Sequence, residues 1–200
     1  MMNPEPSHGR NLRVIAAFTL VELLVAIAVV GLLASLLLPA LNGTRHSAKR
    51  IQCVNNLRQL GVGSLMYWDD HDGMTFPYLA GSTNGGTLYW FGWLKAGAEG
   101  EREFDPARGA LYPYVQGRGV EICPSLDYTS TLYKLKAAGA AYGYGYNFYL
   151  GQHSLQSSGV PSPAATVLLA DAAQVNDFQA PASPEDPRLE EFYYLAADEG

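Results

Sequence analysis

Apolar side chains are unevenly spread along the chain, and the spread predicts its elements. From Phe18 to Leu41 the only ionisable side chain is Glu22, close to the amino-terminal end of an otherwise apolar run. At about 1.5 Å per residue such a run is long enough to cross a hydrocarbon core of about 30 Å, so residues 18–41 predict a transmembrane helix. After Pro39 a helical period with polar faces takes over. Ile51, Val54, Leu57 and Leu60 recur every three residues, Leu65 and Trp68 follow, and Arg50, Gln52, Asn56, Arg58 and Gln59 take mostly other faces. This predicts an amphipathic continuation of the helix over residues 42–70. Gly43, Gly61 and Gly63 each weaken it by about 1 kcal/mol relative to Ala, and bending or local melting is expected near Pro39–Gly43. Gly73 and Pro77 are stop signals.

Past Pro77 the pattern shortens to strands and loops. Leu88-Tyr89-Trp90-Phe91-Gly92-Trp93-Leu94 predicts a strand or hairpin arm, and Ala96–Asp105 an exposed acidic loop. Val120-Glu121-Ile122-Cys123 alternates like a strand stopped by Pro124. Tyr142, Tyr144, Tyr146 and Phe148 fall on one face at period two, with glycines between them where another backbone can approach. Ala165–Asp171 is the strongest buried-strand candidate, and the Pro-rich acidic stretch from Asp177 onward predicts a loop. The expected fold is α+β: a long N-terminal helix, transmembrane then amphipathic, packed on a small antiparallel sheet with long loops. Residues 71–200 form the globular part.

Composition narrows the function. Two hundred residues, less a leader and a span, leave about 160 outside a bilayer, enough for one modest domain. The formal net charge of −6 argues against nucleic-acid binding, which needs a basic stripe. Thirteen Tyr and 21 Gly with few Lys fit a loop-rich extracytoplasmic domain. Cys53 and Cys123 are either bridged or two buried free thiols; outside the cytoplasm a bridge is permitted, and closing a loop of about 70 residues would stabilise by roughly 4 kcal/mol. They lack the close ligand pairs that zinc prefers. Asp69, Asp70 and Asp72 at the end of the helix oppose its macrodipole, which leaves two readings: a calcium-type cation held by carboxylate oxygens, or a solvated polar turn. No other cofactor is expected. No Gly-x-Ser-x-Gly, Walker loop, His-Glu-x-x-His or dinucleotide fingerprint is present, and His8, His46, His71 and His153 have no nearby nucleophile in sequence, so an enzyme is not expected.

Phe18-Thr19-Leu20-Val21-Glu22-Leu23-Leu24-Val25 resembles the processing and assembly segment of type IV pilins and type II secretion pseudopilins. The resemblance implies a cytoplasmic leader over residues 1–17, cut between Ala17 and Phe18 by a prepilin peptidase that also methylates the new amino terminus. It implies that Glu22 pairs with the Phe18 amine of a neighbouring copy, and that Pro39 stands where many pilins kink the helix. Ala17 departs from the Gly usual before the cut. The partners implied are prepilin peptidase, other copies of the chain or related pilins, an inner-membrane assembly platform and the membrane. The implied location is the inner membrane, single-pass with the N-terminus cytoplasmic, then a periplasmic or cell-surface filament. Local charge alone is divided, since Arg10 and Arg13 precede the span while Arg45, Lys49, Arg50 and Arg58 follow it.

The segment Cys53-Val54-Asn55-Asn56-Leu57-Arg58-Gln59-Leu60-Gly61 through Phe76-Pro77 is similar to a multicopy pilin-like group. Cys123-Pro124, the Tyr-Gly segment at 142–149 and the strand ending in Asp171 match the same group. Its members usually continue to a final His…Asp-Gly strand, so a truncated or differently closed domain is expected here. Two functions follow: a filament subunit, or a monomeric membrane-anchored binding domain that uses Trp90, Phe91 and Trp93 as a sugar or protein platform. Those three rings have a plainer reading as core.

Overall fold

The structure, a computed structural model, describes residues 19–116, 119–160 and 162–196, and of residues 39–42 the backbone alone. The expected leader and the Ala17–Phe18 cleavage pair lie outside the described residues. The fold is α+β, built on a helix α1 (Leu20–Asp70) of 51 residues. The chain divides into two compact units after Arg45, and α1 contributes to both.

Local melting near Pro39–Gly43 is not found: the helix is assigned without a break through these residues. A proline removes one intrahelical hydrogen bond, and the Leu- and Ala-rich flanks are strong helix formers on either side. In the second unit α1 buries Cys53, Leu60 and Ser64 and half-buries Leu57 and Tyr67. The buried face is therefore rotated from the expected stripe, because Ile51, Val54 and Leu65 stay exposed. The small residues set the rotation. Gly63 packs so closely on the segment holding Val115 that a Cβ there would lie 3.2 Å from Val115 Cγ1. The helix stops at Gly73, which takes φ +78° and donates its N–H to the Trp68 carbonyl at 2.7 Å.

Among the described residues three small sheets follow, rather than one. The first is a four-stranded antiparallel meander of β1 (Leu79–Thr83), β2 (Gly86–Tyr89), β3 (Gly92–Lys95) and β4 (Phe104–Asp105). The expected arm at 88–94 is its central hairpin, with Trp90 and Phe91 at the turn. A short helix α2 (Tyr112–Val115) comes next. The predicted strand at 120–123 does not form; Val120 and Cys123 are buried as loop residues, anchored by the bridge to Cys53.

The other two sheets are mixed. β6 (Tyr144–Asn147) lies between antiparallel β7 (Leu169–Asp171) and parallel β10 (Tyr194–Leu195). β9 (Arg188–Glu191) lies between parallel β5 (Tyr133–Lys134) and antiparallel β8 (Ala173–Asn176). The buried strand expected over 165–171 keeps only its last three residues. The loop expected after Asp177 contains two strands, β9 and β10. The Tyr-rich run ends early because Asn147 caps a helix α3 (Phe148–His153), its side chain accepting from Tyr149 N at 3.0 Å.

The core is aromatic. Phe76 stacks on Tyr146 at 4.1 Å, Phe91 meets Tyr142 at 3.8 Å, and Tyr142, Tyr144 and Tyr146 are fully buried. Trp90, Phe91 and Trp93 are buried too, so the sugar or protein platform suggested for them is not on the surface. Trp90 Nε1 donates to the Tyr193 carbonyl at 3.1 Å and Trp93 Nε1 to the Thr83 carbonyl at 2.8 Å, which satisfies both indoles inside the core. The glycines of the Tyr-rich run do admit another backbone: a Cβ at Gly143 would lie 2.5 Å from Cys123 N.

Candidate functional site

Leu20–Leu38 is a 19-residue stretch of α1 long and apolar enough to cross a membrane. Its large side chains, from Leu20 and Val21 through Leu36, Leu37 and Leu38, are exposed. An apolar surface of this extent, open on every face of a helix, calls for lipid or another protein chain to cover it. Within it Ser35 satisfies its hydroxyl by donating to the Leu32 carbonyl at 2.7 Å.

Glu22 sits in the first turn of this helix, and Thr19 just precedes it. The Thr19 N–H donates to Glu22 Oε2 at 2.9 Å, and the Thr19 hydroxyl donates to the same oxygen at 2.8 Å. In return the Glu22 N–H reaches Thr19 Oγ1 at 3.2 Å. This reciprocal arrangement is a capping box, Thr-x-x-Glu, which satisfies amides that a helix start leaves open. It also sets the carboxylate against the positive end of the helix dipole. The spacing is written in Thr19-Leu20-Val21-Glu22 ahead of an apolar run, a signal available in the sequence that reading Glu22 only as a pairing group passes over. Pro39 lies within α1, and its side chain is outside the described residues.

The other predicted residues lie in the second unit. Cys53 on α1 and Cys123 in the loop after α2 are joined, with Cα atoms 5.4 Å apart and both sulfurs buried. Asn56, one turn further along α1, fastens the same loop by donating to the Ile122 carbonyl at 3.0 Å. Asp69, Asp70 and Asp72 are not drawn into a shared ligand set. Asp70 accepts instead from the Tyr114 hydroxyl at 2.9 Å, and among the described residues no group of three His, Cys, Asp or Glu side chains is placed to hold a metal ion. His71 folds back on α1, its ring stacked on Tyr67 at 3.8 Å.

A buried ionic network occupies one face of the β5–β9–β8 sheet, and sequence reading gave no warning of it. Glu190 is 1% exposed. Its Oε1 accepts from Lys136 Nζ and from Gln174 Nε2, each at 2.5 Å. Its Oε2 accepts from Asn176 Nδ2 at 2.5 Å and lies 3.2 Å from Lys134 Nζ. Glu99, from the loop after β3, pairs with Lys134 at 2.6 Å, Lys136 at 3.0 Å and Arg102 at 3.3 Å. Burial pushes the Glu190 carboxyl up, but the hydrogen bonds from Lys136, Asn176 and Gln174 outweigh it and hold the group down at about 2. Neighbouring Glu191 accepts only main-chain bonds, from Lys136 N and Ala141 N at 2.8 Å each among others, and burial pushes it up. No protein-family model, curated protein or solved structure matches this chain.

Proposed function

We propose that the chain is a structural subunit of a type IV pilus-like or type II secretion pseudopilus filament, acting by assembly rather than catalysis. The observation that carries this reading is the apolar helix Leu20–Leu38, uncovered on every face and headed by a single carboxylate, Glu22. The resemblance of Phe18–Val25 to prepilin segments supports it. In this reading the precursor sits in the inner membrane with its N-terminus cytoplasmic, and a prepilin peptidase cuts between Ala17 and Phe18. An assembly platform then draws the helix into a bundle with other copies, and Glu22 leaves Thr19 to neutralise the Phe18 amine of a neighbour. The second unit faces outward.

The capping box favours a second reading, a monomeric membrane-anchored extracytoplasmic binding domain, because it satisfies Glu22 within its own chain. Intact mass of the protein recovered from membranes separates the two. A filament subunit begins at Phe18 and carries one extra methyl group, whereas an anchor keeps residues 2–17. Glu22→Ala should abolish co-assembly while leaving membrane insertion intact; assembly at normal yield would remove the pairing role.

A further inference from the structure

Charge is segregated along the chain around the end of the apolar span. Between Glu22 and Asp69 there are four basic side chains, Arg45, Lys49, Arg50 and Arg58, and no acidic one. From Asp69 to Gly200 there are 7 basic side chains against 17 acidic ones. Three of the four helix cations thus fall within six residues just beyond the span, in a chain whose remainder is strongly acidic. Arg45, Lys49 and Arg50 are all exposed, and among the described residues no ion pair engages them. Asp127, whose carboxyl is held down chiefly by the Thr129 hydroxyl, also feels the charge of Lys49, but the two form no ion pair.

The length of the span sets where these cations stand. The 19 residues Leu20–Leu38 rise about 28 Å, close to a hydrocarbon core of about 30 Å, so a helix that fills the core leaves it at Leu38. A headgroup layer about 5–7 Å deep begins there. Arg45, seven residues on, is about 10 Å from the core at 1.5 Å per residue, and Lys49 and Arg50 come within the next five residues. Long basic side chains lean back along apolar surroundings while their charged ends stay wet. Surface charge is screened over about 8 Å at physiological ionic strength, so with that lean all three cations feel the headgroups. Arg58, about 30 Å from the core along the helix, does not.

We propose that Arg45, Lys49 and Arg50 form a collar that selects anionic phospholipids, through their phosphodiester headgroups, where α1 leaves the bilayer. Charge complementarity decides the occupant: a zwitterionic headgroup has no net charge to offer, whereas an anionic one neutralises cations that the chain itself leaves unpaired. Two of the three are guanidinium groups, whose planar fork matches phosphate oxygens. One cation beside an anionic surface is worth about a fivefold preference, and the three together divide theirs among the several lipids that ring the helix. The collar rests on Leu20–Leu38 lying in a bilayer, and it holds for a filament precursor and for an anchor alike.

The test uses the full chain in phosphatidylcholine vesicles containing a trace of spin-labelled lipid, with the motionally restricted fraction read by electron paramagnetic resonance. Spin-labelled phosphatidylglycerol should be restricted about three- to fivefold more strongly than spin-labelled phosphatidylcholine at low salt, and the ratio should fall toward one in concentrated salt. Arg45→Gln, Lys49→Gln and Arg50→Gln made together should remove most of the preference. Arg45→Lys with Arg50→Lys should keep most of it, and Arg58→Gln should keep all of it. Restricted lipid with no preference, or a preference that the triple variant leaves unchanged, overturns the collar while leaving the span intact. Absence of restricted lipid of either kind overturns the span and the collar with it. A flat preference together with carbodiimide cross-links from Lys49 to an acidic side chain of a second copy overturns the lipid assignment in favour of a contact between copies.

Discussion

Replacing both Cys53 and Cys123 by Ala removes the one covalent tie between α1 and the loop after α2, and its effect can be worked from the chain. The bridge closes a sequence separation of 70 residues. On the chain-entropy account, opening such a loop costs about 4 kcal/mol at 25 °C. For a chain of this size about 2–4 °C of melting temperature goes with each kcal/mol, so the double variant should melt about 10–15 °C lower. Loss of the two buried sulfurs adds little, since Ala fills most of a Cys site and Asn56 still holds the Ile122 carbonyl. The near-ultraviolet circular dichroism of the buried aromatic cluster reports the transition in detergent, and wild-type protein melted with a reductant serves as a second arm. A double variant melting within about 3 °C of wild type refutes the reasoning, because the loop would then be held by its other contacts. Two thiols labelled in unfolded, unreduced protein would refute it more directly.

Other outcomes are as definite. Gly143→Ala places a Cβ 2.5 Å from Cys123 N and 2.8 Å from Cys123 Cβ, atoms that the bridge keeps from moving. It should lower stability by about 1–3 kcal/mol in a urea titration, and an unchanged midpoint argues against the close approach. Thr19→Val removes the hydroxyl half of the capping box and should cost the helix start about 1 kcal/mol, seen as faster amide exchange at residues 20–23 in micelles; unaltered exchange would dismiss the cap. Glu190, held at about 2 when folded against 4.5 for a free glutamate, contributes stability that is present above about pH 4.5 and lost as pH falls toward 2. That contribution is about 3 kcal/mol, Glu191 acts in the opposite sense because burial raises it, and Glu190→Gln should flatten the acid limb of the stability curve. An equally steep limb in the variant would mean that other carboxylates carry the acid sensitivity.

What could be read from the sequence was whatever declares itself through apolar spacing. The span Leu20–Leu38 and its continuation to Asp70 were legible because a run without charge, then a three-to-four-residue period, has few other meanings. The strand of Tyr144 and Tyr146 was legible from alternation. β9 was not, because Arg188-Leu189-Glu190-Glu191 turns its acids inward to Lys134, Lys136 and Asn176, while Leu189 is left partly exposed. A buried strand whose burial is ionic reverses the usual code, and the lysines that reveal it lie some fifty residues upstream. The rotation of the buried face of α1 was hidden for a related reason. Gly63 and Ser64 are inside because they are small, and no hydrophobicity pattern selects them over Ile51 and Val54.

That rotation has a practical side. Ile51, Val54, Val62, Leu65 and Met66 leave a greasy band along the part of α1 that belongs to the second unit. A soluble fragment begun near His46 would carry this band into water and should clump at the concentrations used for crystallisation. Polar replacements at Ile51, Val62 and Leu65 would disperse it without touching the packed side.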